Sequence, residues 1–412
     1  MSSFLFFIIL VLTLLAGSNV LEFIGYPQAD FTTSIIYRLY PLTYLCFAAL
    51  GYYLIVGRLK VNDLIYHMKP EFYLLLVCLM VICYLKYTNN LDAFSFLLNT
   101  LCLPAILSIL LKSTDQNILQ RSRKWVYGVF FLNALMAIIE KFKGSALLGS
   151  ESHHFLFFRS SALYGHPLNN ALIMSVLTIV LFYGTDNRKL KITVLLTGMI
   201  SLFCFGARGG MIGVFLGITI NTILNILGYG EEEDNYLKMK KGLLSLIGFG
   251  IAFFMIANFT HLGGRIAALS FMDSSAQVRM KTLDVLNGLN LQDLLWGFSP
   301  EKIKYLQYIS GVPIIENFWL FWLLKFGLVV TMLLASALIF FLYRSMEYIS
   351  KDIKLTILFV FLFVASTNNS LATSTLVLSI LIFSIYIIFN NEDLQNHTLD
   401  ENDFHLSKKY SV

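Results

Sequence analysis

The sequence predicts an all-α, polytopic integral membrane protein of about 12 transmembrane helices, and three observations carry that expectation. First, hydrophobic residues make up 57% of the 412 residues and charged residues only 13%, about half the ~25% usual in soluble domains. The mean hydropathy is +0.72. Second, 36 Phe and 21 Tyr stand beside only 7 Pro and 26 Gly, which excludes disorder, coiled coil and collagen and leaves long stretches free to be helical. Third, apolar segments of about 20 residues recur along the chain, each long enough to cross a hydrocarbon core.

The first segment opens at Phe4. No Lys or Arg precedes Arg38, so the basic start of a cleaved signal is missing and this segment is expected to remain as the first span. Further segments open at Ser34, Phe72, Ala93, Trp125, Pro167, Leu190, Gly209 and Gly242, and the last three at Phe318, Leu355 and Ala372. The third ends near Tyr87, and the eleventh is interrupted by Ser366, Thr367, Asn368, Asn369 and Ser370. The last two would serve equally as a re-entrant pair, and the chain leaves on the same face either way.

Basic residues next to spans report topology. One alternating set of links holds Arg58, Lys60 and Lys69; Lys112, Arg121, Arg123 and Lys124; Arg188, Lys189 and Lys191; Lys238, Lys240 and Lys241; and Arg344, Lys351 and Lys354. With Lys408 and Lys409 in the tail, this set carries more than half of the 30 Lys and Arg. The expected organisation is therefore one transmembrane domain, 1–390, with a cytoplasmic tail, 391–412, and both termini in the cytoplasm. A smaller periplasmic loop, 141–167, and a large one, 261–317, between the ninth and tenth spans face outward. The net charge of +5 is read as topology and implies the lipid bilayer, not nucleic acid, as partner. All five cysteines lie in apolar stretches, without disulfide or zinc spacing. No internal repeat marks the chain as a secondary transporter.

Three outward segments carry more polar chemistry than a connector needs. Arg159 to Pro167 leads into the sixth span through Gly165-His166-Pro167. An interfacial turn with Arg and Tyr anchors explains it, as does an anion site at a helix N-terminus. Gly206-Ala207-Arg208-Gly209-Gly210 joins the seventh and eighth spans, and Arg208 stands at a helix start, where the dipole disfavours a cation. An external anion would account for it, and so would snorkelling to headgroup phosphates. The large loop holds Arg265, Arg279, Trp296-Gly297-Phe298 and, at its end, Glu316-Asn317, which suit a helix cap as well as a site. The stretch 278–294 has near-helical apolar spacing and is expected on the membrane surface. Together the segments place several arginines and one carboxylate on one face, a set suited to an anionic headgroup and a general base. No Asp-x-Asp, Walker A, GxSxG or HExxH motif occurs, so no metal site or other cofactor is expected.

In this order the segments resemble the O-antigen polymerase and O-antigen ligase superfamily, polytopic inner-membrane glycosyltransferases that act on undecaprenyl-pyrophosphate-linked glycans. The matching pieces are Arg159–Pro167, Gly206–Gly210, Asp273–Arg279, Trp296-Gly297-Phe298, Glu316-Asn317-Phe318-Trp319-Leu320 and Lys325-Phe326-Gly327-Leu328. They span residues 155–330. The resemblance implies that Arg208 and Arg279 grip the lipid pyrophosphate and Glu316 serves as general base. Arg159, His166, Arg265 and Asn317 are then left for headgroup or glycan contacts. Ligases carry a His where this chain has Glu316, so the resemblance favours a polymerase. It extends an undecaprenyl-pyrophosphate-linked oligosaccharide, working with a chain-length regulator. A ligase transferring the glycan to lipid A–core and a lipid-linked oligosaccharide flippase are the alternatives.

Overall fold

The computed structural model describes residues 1–26, 38–87, 93–148, 158–227, 290–311 and 315–389. These residues are helical, with no strand among them, and the protein is a helical membrane protein. In chain order the helices are α1 (Ser3–Leu15), α2 (Ser18–Phe23), α3 (Pro41–Ile55), α4 (Val61–Tyr66), α5 (Lys69–Tyr87), α6 (Phe94–Lys112), α7 (Gln116–Lys143) and α8 (Pro167–Tyr183). There follow α9 (Arg188–Cys204), α10 (Arg208–Ile226), α11 (Leu291–Trp296), α12 (Pro300–Ser310), α13 (Phe318–Ser345), α14 (Lys351–Ser366) and α15 (Val377–Phe389). Among them α5, α6, α7, α10 and α13 are long and apolar enough to cross a membrane, and α1, α3, α8 and α15 are shorter apolar helices. The expected segment opening at Gly242 and the tail 391–412 lie outside the described residues.

The surface is inverted relative to a soluble protein. Large apolar side chains point outward, among them Phe4, Leu79, Met80, Leu135 and Met332. Polar groups such as Asn99, Thr100, Ser108 and Glu71 are buried within. Such a surface suits contact with lipid. At the centre stands α15, all of whose residues are buried, flanked by α6 and α8.

Close packing is achieved with small residues. Gly209, Gly213 and Gly217 form one stripe of α10 at four-residue spacing. A Cβ on them would come within 2.8 Å of Thr367 Oγ1, 2.4 Å of Val364 Cγ2 and 2.3 Å of Val360 Cγ2, respectively. The stripe lets α14 pack directly on the α10 backbone, as small-xxx-small patterns do in membranes. It also sets Arg208 beside the end of α14.

One end of the bundle gathers the basic links. The Met1 ammonium donates to Ser113 O (2.7 Å), and buried Glu71 pairs with Lys112 (2.7 Å). Arg123 donates to Gly184 O, and Asn221 Nδ2 to Asp352 Oδ2 (3.0 Å). The loops before α8, α10 and α13 and after α14 lie at the opposite end.

Helix α13 is broken. Gly327 adopts φ 77°, ψ 170°, separating 318–326 from 328–345. The second piece alone is about 27 Å long, close to a hydrocarbon core of about 30 Å. The break is fixed by α11: a Cβ on Gly327 would stand 2.2 Å from Leu295 O, and Phe298 N donates to Leu324 O (2.8 Å). The Trp296-Gly297-Phe298 and Lys325–Leu328 motifs are thus one contact.

Candidate functional site

The segment 158–166 is folded into the bundle and held from several sides. Glu140, in the last turn of α7, is fully buried. Its Oε2 accepts from Ser161 N (2.8 Å) and Ala162 N (3.0 Å), and its Oε1 from Leu147 N (2.9 Å). Asn133 Oδ1 accepts from Leu163 N (3.1 Å), and Ser160 Oγ donates to Ala137 O (2.7 Å). From the chain's beginning, Asn19 Nδ2 donates to Ala162 O (2.7 Å) and the Tyr164 hydroxyl to Leu14 O (2.8 Å). Burial pushes the Tyr164 phenol well above its ordinary pKa, so it stays a donor. These bonds fix Ala162 at φ 40°, a left-handed conformation costly for a residue with a Cβ.

This frame delivers Arg159, whose Nη2 donates to Gly206 O (3.1 Å), to the start of α10. Arg159 and Arg208 then line one narrow cleft with Leu168 and Ala171 of α8, Gly209 and Gly210 of α10, and Thr367 and Asn368 after α14. Its volume is about 30 Å³, room for a water or two. The N-terminus of α10 carries no side-chain cap, so its first-turn amides and dipole add positive potential beside two guanidinium groups. An anion is what such a cleft attracts.

The start of α13 is tied to the same wall. Asn317 Nδ2 donates to Ser366 O (3.1 Å), Trp319 Nε1 to Ser366 Oγ (2.8 Å) and Phe318 N to Asn368 O (3.1 Å). Asn317 is the N-cap of α13, its Oδ1 accepting from Leu320 N (3.1 Å), so both ends of its amide serve the architecture. Glu316 is half-buried one residue earlier and lines neither this cleft nor the larger cavity. His166 caps α8, its Nδ1 accepting from Leu168 N (3.2 Å), and lines that larger cavity. Arg265, Arg279 and most of 278–294 lie outside the described residues.

The structure therefore brings Arg159 and Arg208 into one cleft and ties Asn317, the residue after Glu316, to Ser366, next to the Thr367 and Asn368 that line that cleft. Three contributors do not stand out in the sequence as site residues. Glu140 was legible as an acid at a helix C-terminus, where the dipole disfavours it unless amides surround it. Glu22 lies just past the first span. The polar run at 366–370 read only as an interruption. No family model matches the chain, and no curated protein matches it.

Proposed function

We propose that the protein is a glycosyltransferase of the O-antigen polymerase type, set in the bacterial inner membrane with the arginine cleft facing the periplasm. The observation that carries this reading is the shared cleft of Arg159 and Arg208 at the uncapped start of α10. Its place opposite the basic links agrees with an outward site by the positive-inside rule.

The donor is a growing glycan on undecaprenyl pyrophosphate, and the acceptor is a hydroxyl of the next lipid-linked repeat unit. The hydroxyl oxygen bonds to the anomeric carbon, the carbon–oxygen bond to pyrophosphate breaks, and undecaprenyl pyrophosphate leaves with the electron pair. Glu316 takes the hydroxyl proton. Arg208 and Arg159, joined by Arg279, offer forked donors to the departing phosphate oxygens, where charge develops. Asn317 and Glu140 position this apparatus, and a chain-length regulator sets product size.

The test is polysaccharide profiling in a deletion strain complemented with wild type, Arg159→Ala, Arg208→Ala or Glu316→Gln, each present in the membrane at the wild-type level. A deletion that leaves a single repeat unit on the acceptor, with variants that do not restore the ladder, supports a polymerase. Full-length chains stranded on undecaprenyl pyrophosphate would make it a ligase. Normal ladders from all three variants would refute the site.

A further inference from the structure

A second cavity, about 310 Å³, opens on the other side of the α8 N-terminus, with Asn19, Glu22, Tyr40, His166, Asn169 and Ser374 in its walls. At 100° per residue, His166 and Asn169 lie about 200° around α8 from Leu168 and Ala171, which line the arginine cleft. One helix turn is therefore the partition, and a helix with its side chains is about 10–12 Å thick.

The two cavities differ in chemistry. The cleft has two guanidinium groups. Among the described residues the larger cavity has no Lys or Arg in its walls and one carboxylate, Glu22, which would repel a phosphate. The other side chains are hydroxyls, amides, the His166 imidazole, two tyrosine rings and the aliphatic Ile173, Leu376 and Val377, surfaces that meet a sugar's hydroxyls and its apolar face. Several are held in place through one polar atom. Tyr40 donates its hydroxyl to Ser374 O (2.9 Å), Asn169 Oδ1 accepts from Ser370 Oγ (2.6 Å), and Asn19 Nδ2 donates to Ala162 O (2.7 Å). Gly165, at φ 76°, completes the wall: a Cβ there would stand 2.1 Å from Ser18 Oγ. The cavity is thus preformed, and its volume is at the small end of ligand sites, suited to one or two sugar rings.

We infer that this cavity is a saccharide subsite that holds a sugar of the glycan set back from the reacting linkage, with Glu22 accepting a hydroxyl hydrogen. The inference rests on the glycosyltransferase reading for its substrate class. Its test does not depend on turnover. Repeat-unit oligosaccharides released by mild acid from the host's surface polysaccharide are titrated against the full-length protein in detergent, with saturation-transfer NMR as readout. Wild type should bind. Glu22→Gln should bind about ten-fold more weakly, the worth of one charge-assisted hydrogen bond. Ser374→Trp should not bind, while both variants keep the wild-type thermal unfolding midpoint. Arg208→Ala should bind the oligosaccharide normally and lose retention of undecaprenyl pyrophosphate. Absence of oligosaccharide binding to wild type, or equal binding by folded Ser374→Trp, overturns the subsite. Undecaprenyl pyrophosphate retained by Arg208→Ala, with oligosaccharide binding still sensitive to Glu22 and Ser374, would sink the pyrophosphate assignment and leave the subsite standing.

Discussion

Replacing Glu140 should loosen the segment that delivers Arg159. The carboxylate is fully buried and accepts three backbone N–H bonds of 2.8–3.0 Å. Glu140→Ala removes all three acceptors. The Leu147 and Ser161 amides are part-buried and can turn to water, but Ala162 N is buried at a strained turn. At about 1–3 kcal/mol for the stranded buried donor and about 0.5–1 kcal/mol for the two part-buried bonds, the expected destabilisation is about 2–4 kcal/mol. Glu140→Gln keeps one oxygen for Ser161 and Ala162 but turns an NH₂ toward the Leu147 amide, and should cost about 1–2 kcal/mol. The assay is SDS-titrated unfolding in mixed micelles followed by far-UV circular dichroism. A Glu140→Ala protein within about 0.5 kcal/mol of wild type, the range of an ordinary surface substitution, would refute the reasoning.

Two further outcomes are expected. Gly327→Ala puts a Cβ 2.2 Å from Leu295 O, at a φ of +77°. It should cost at least about 3 kcal/mol or abolish the folded peak in size-exclusion chromatography, whereas Gly128→Ala, with nothing within 4 Å, should be neutral or slightly stabilising. At the start of α12 the backbone amide of Glu301, then the Ser299 side chain, hold the Glu301 carboxyl below its ordinary 4.5. A depressed acid stabilises the fold above the unfolded value and loses that contribution as pH falls through the folded one, so amide protection at 301–303, measured by hydrogen exchange, should drop below pH 4.5. The same drop in Glu301→Gln would show that this carboxyl is not its source.

The helical membrane architecture was legible because its cause is local: a run of apolar residues long enough to cross lipid is a run whichever helices it packs against. Helix starts were legible for the same reason. Pro167 after His166, Arg208 between glycines, and Asn317 before an apolar run each mark a boundary that the structure keeps. What could not be read was which starts meet. Arg159 and Arg208 are brought together by the α10 glycine stripe against α14 and by a buried Glu140 that fastens the intervening segment. Nor could the break at Gly327 be read, since it depends on the backbone of Gly297 lying against it from a distant loop.

The polar run 366–375 shows why such sites resist local reading. Irregular backbone at membrane depth is tolerated only where protein satisfies its hydrogen bonds. Here Asn317 and Phe318 bond to Ser366 O and Asn368 O, Trp322 Nε1 donates to Leu371 O (3.0 Å), and Thr100 Oγ1 donates to Thr373 O (2.7 Å). Tyr40 donates to Ser374 O, and Thr375 N to Thr100 Oγ1 (2.9 Å). Partners thus come from α6, α13 and the residues before α3 and α13, and continuing α14 straight through this run would strand them all. The same run walls both cavities, Thr367 and Asn368 in the arginine cleft and Ser374 to Val377 in the larger one. A feature that looks like a defect in a span is therefore the piece of backbone that holds a cationic cleft and a hydroxyl-rich cavity bearing the Glu22 carboxylate at a fixed separation.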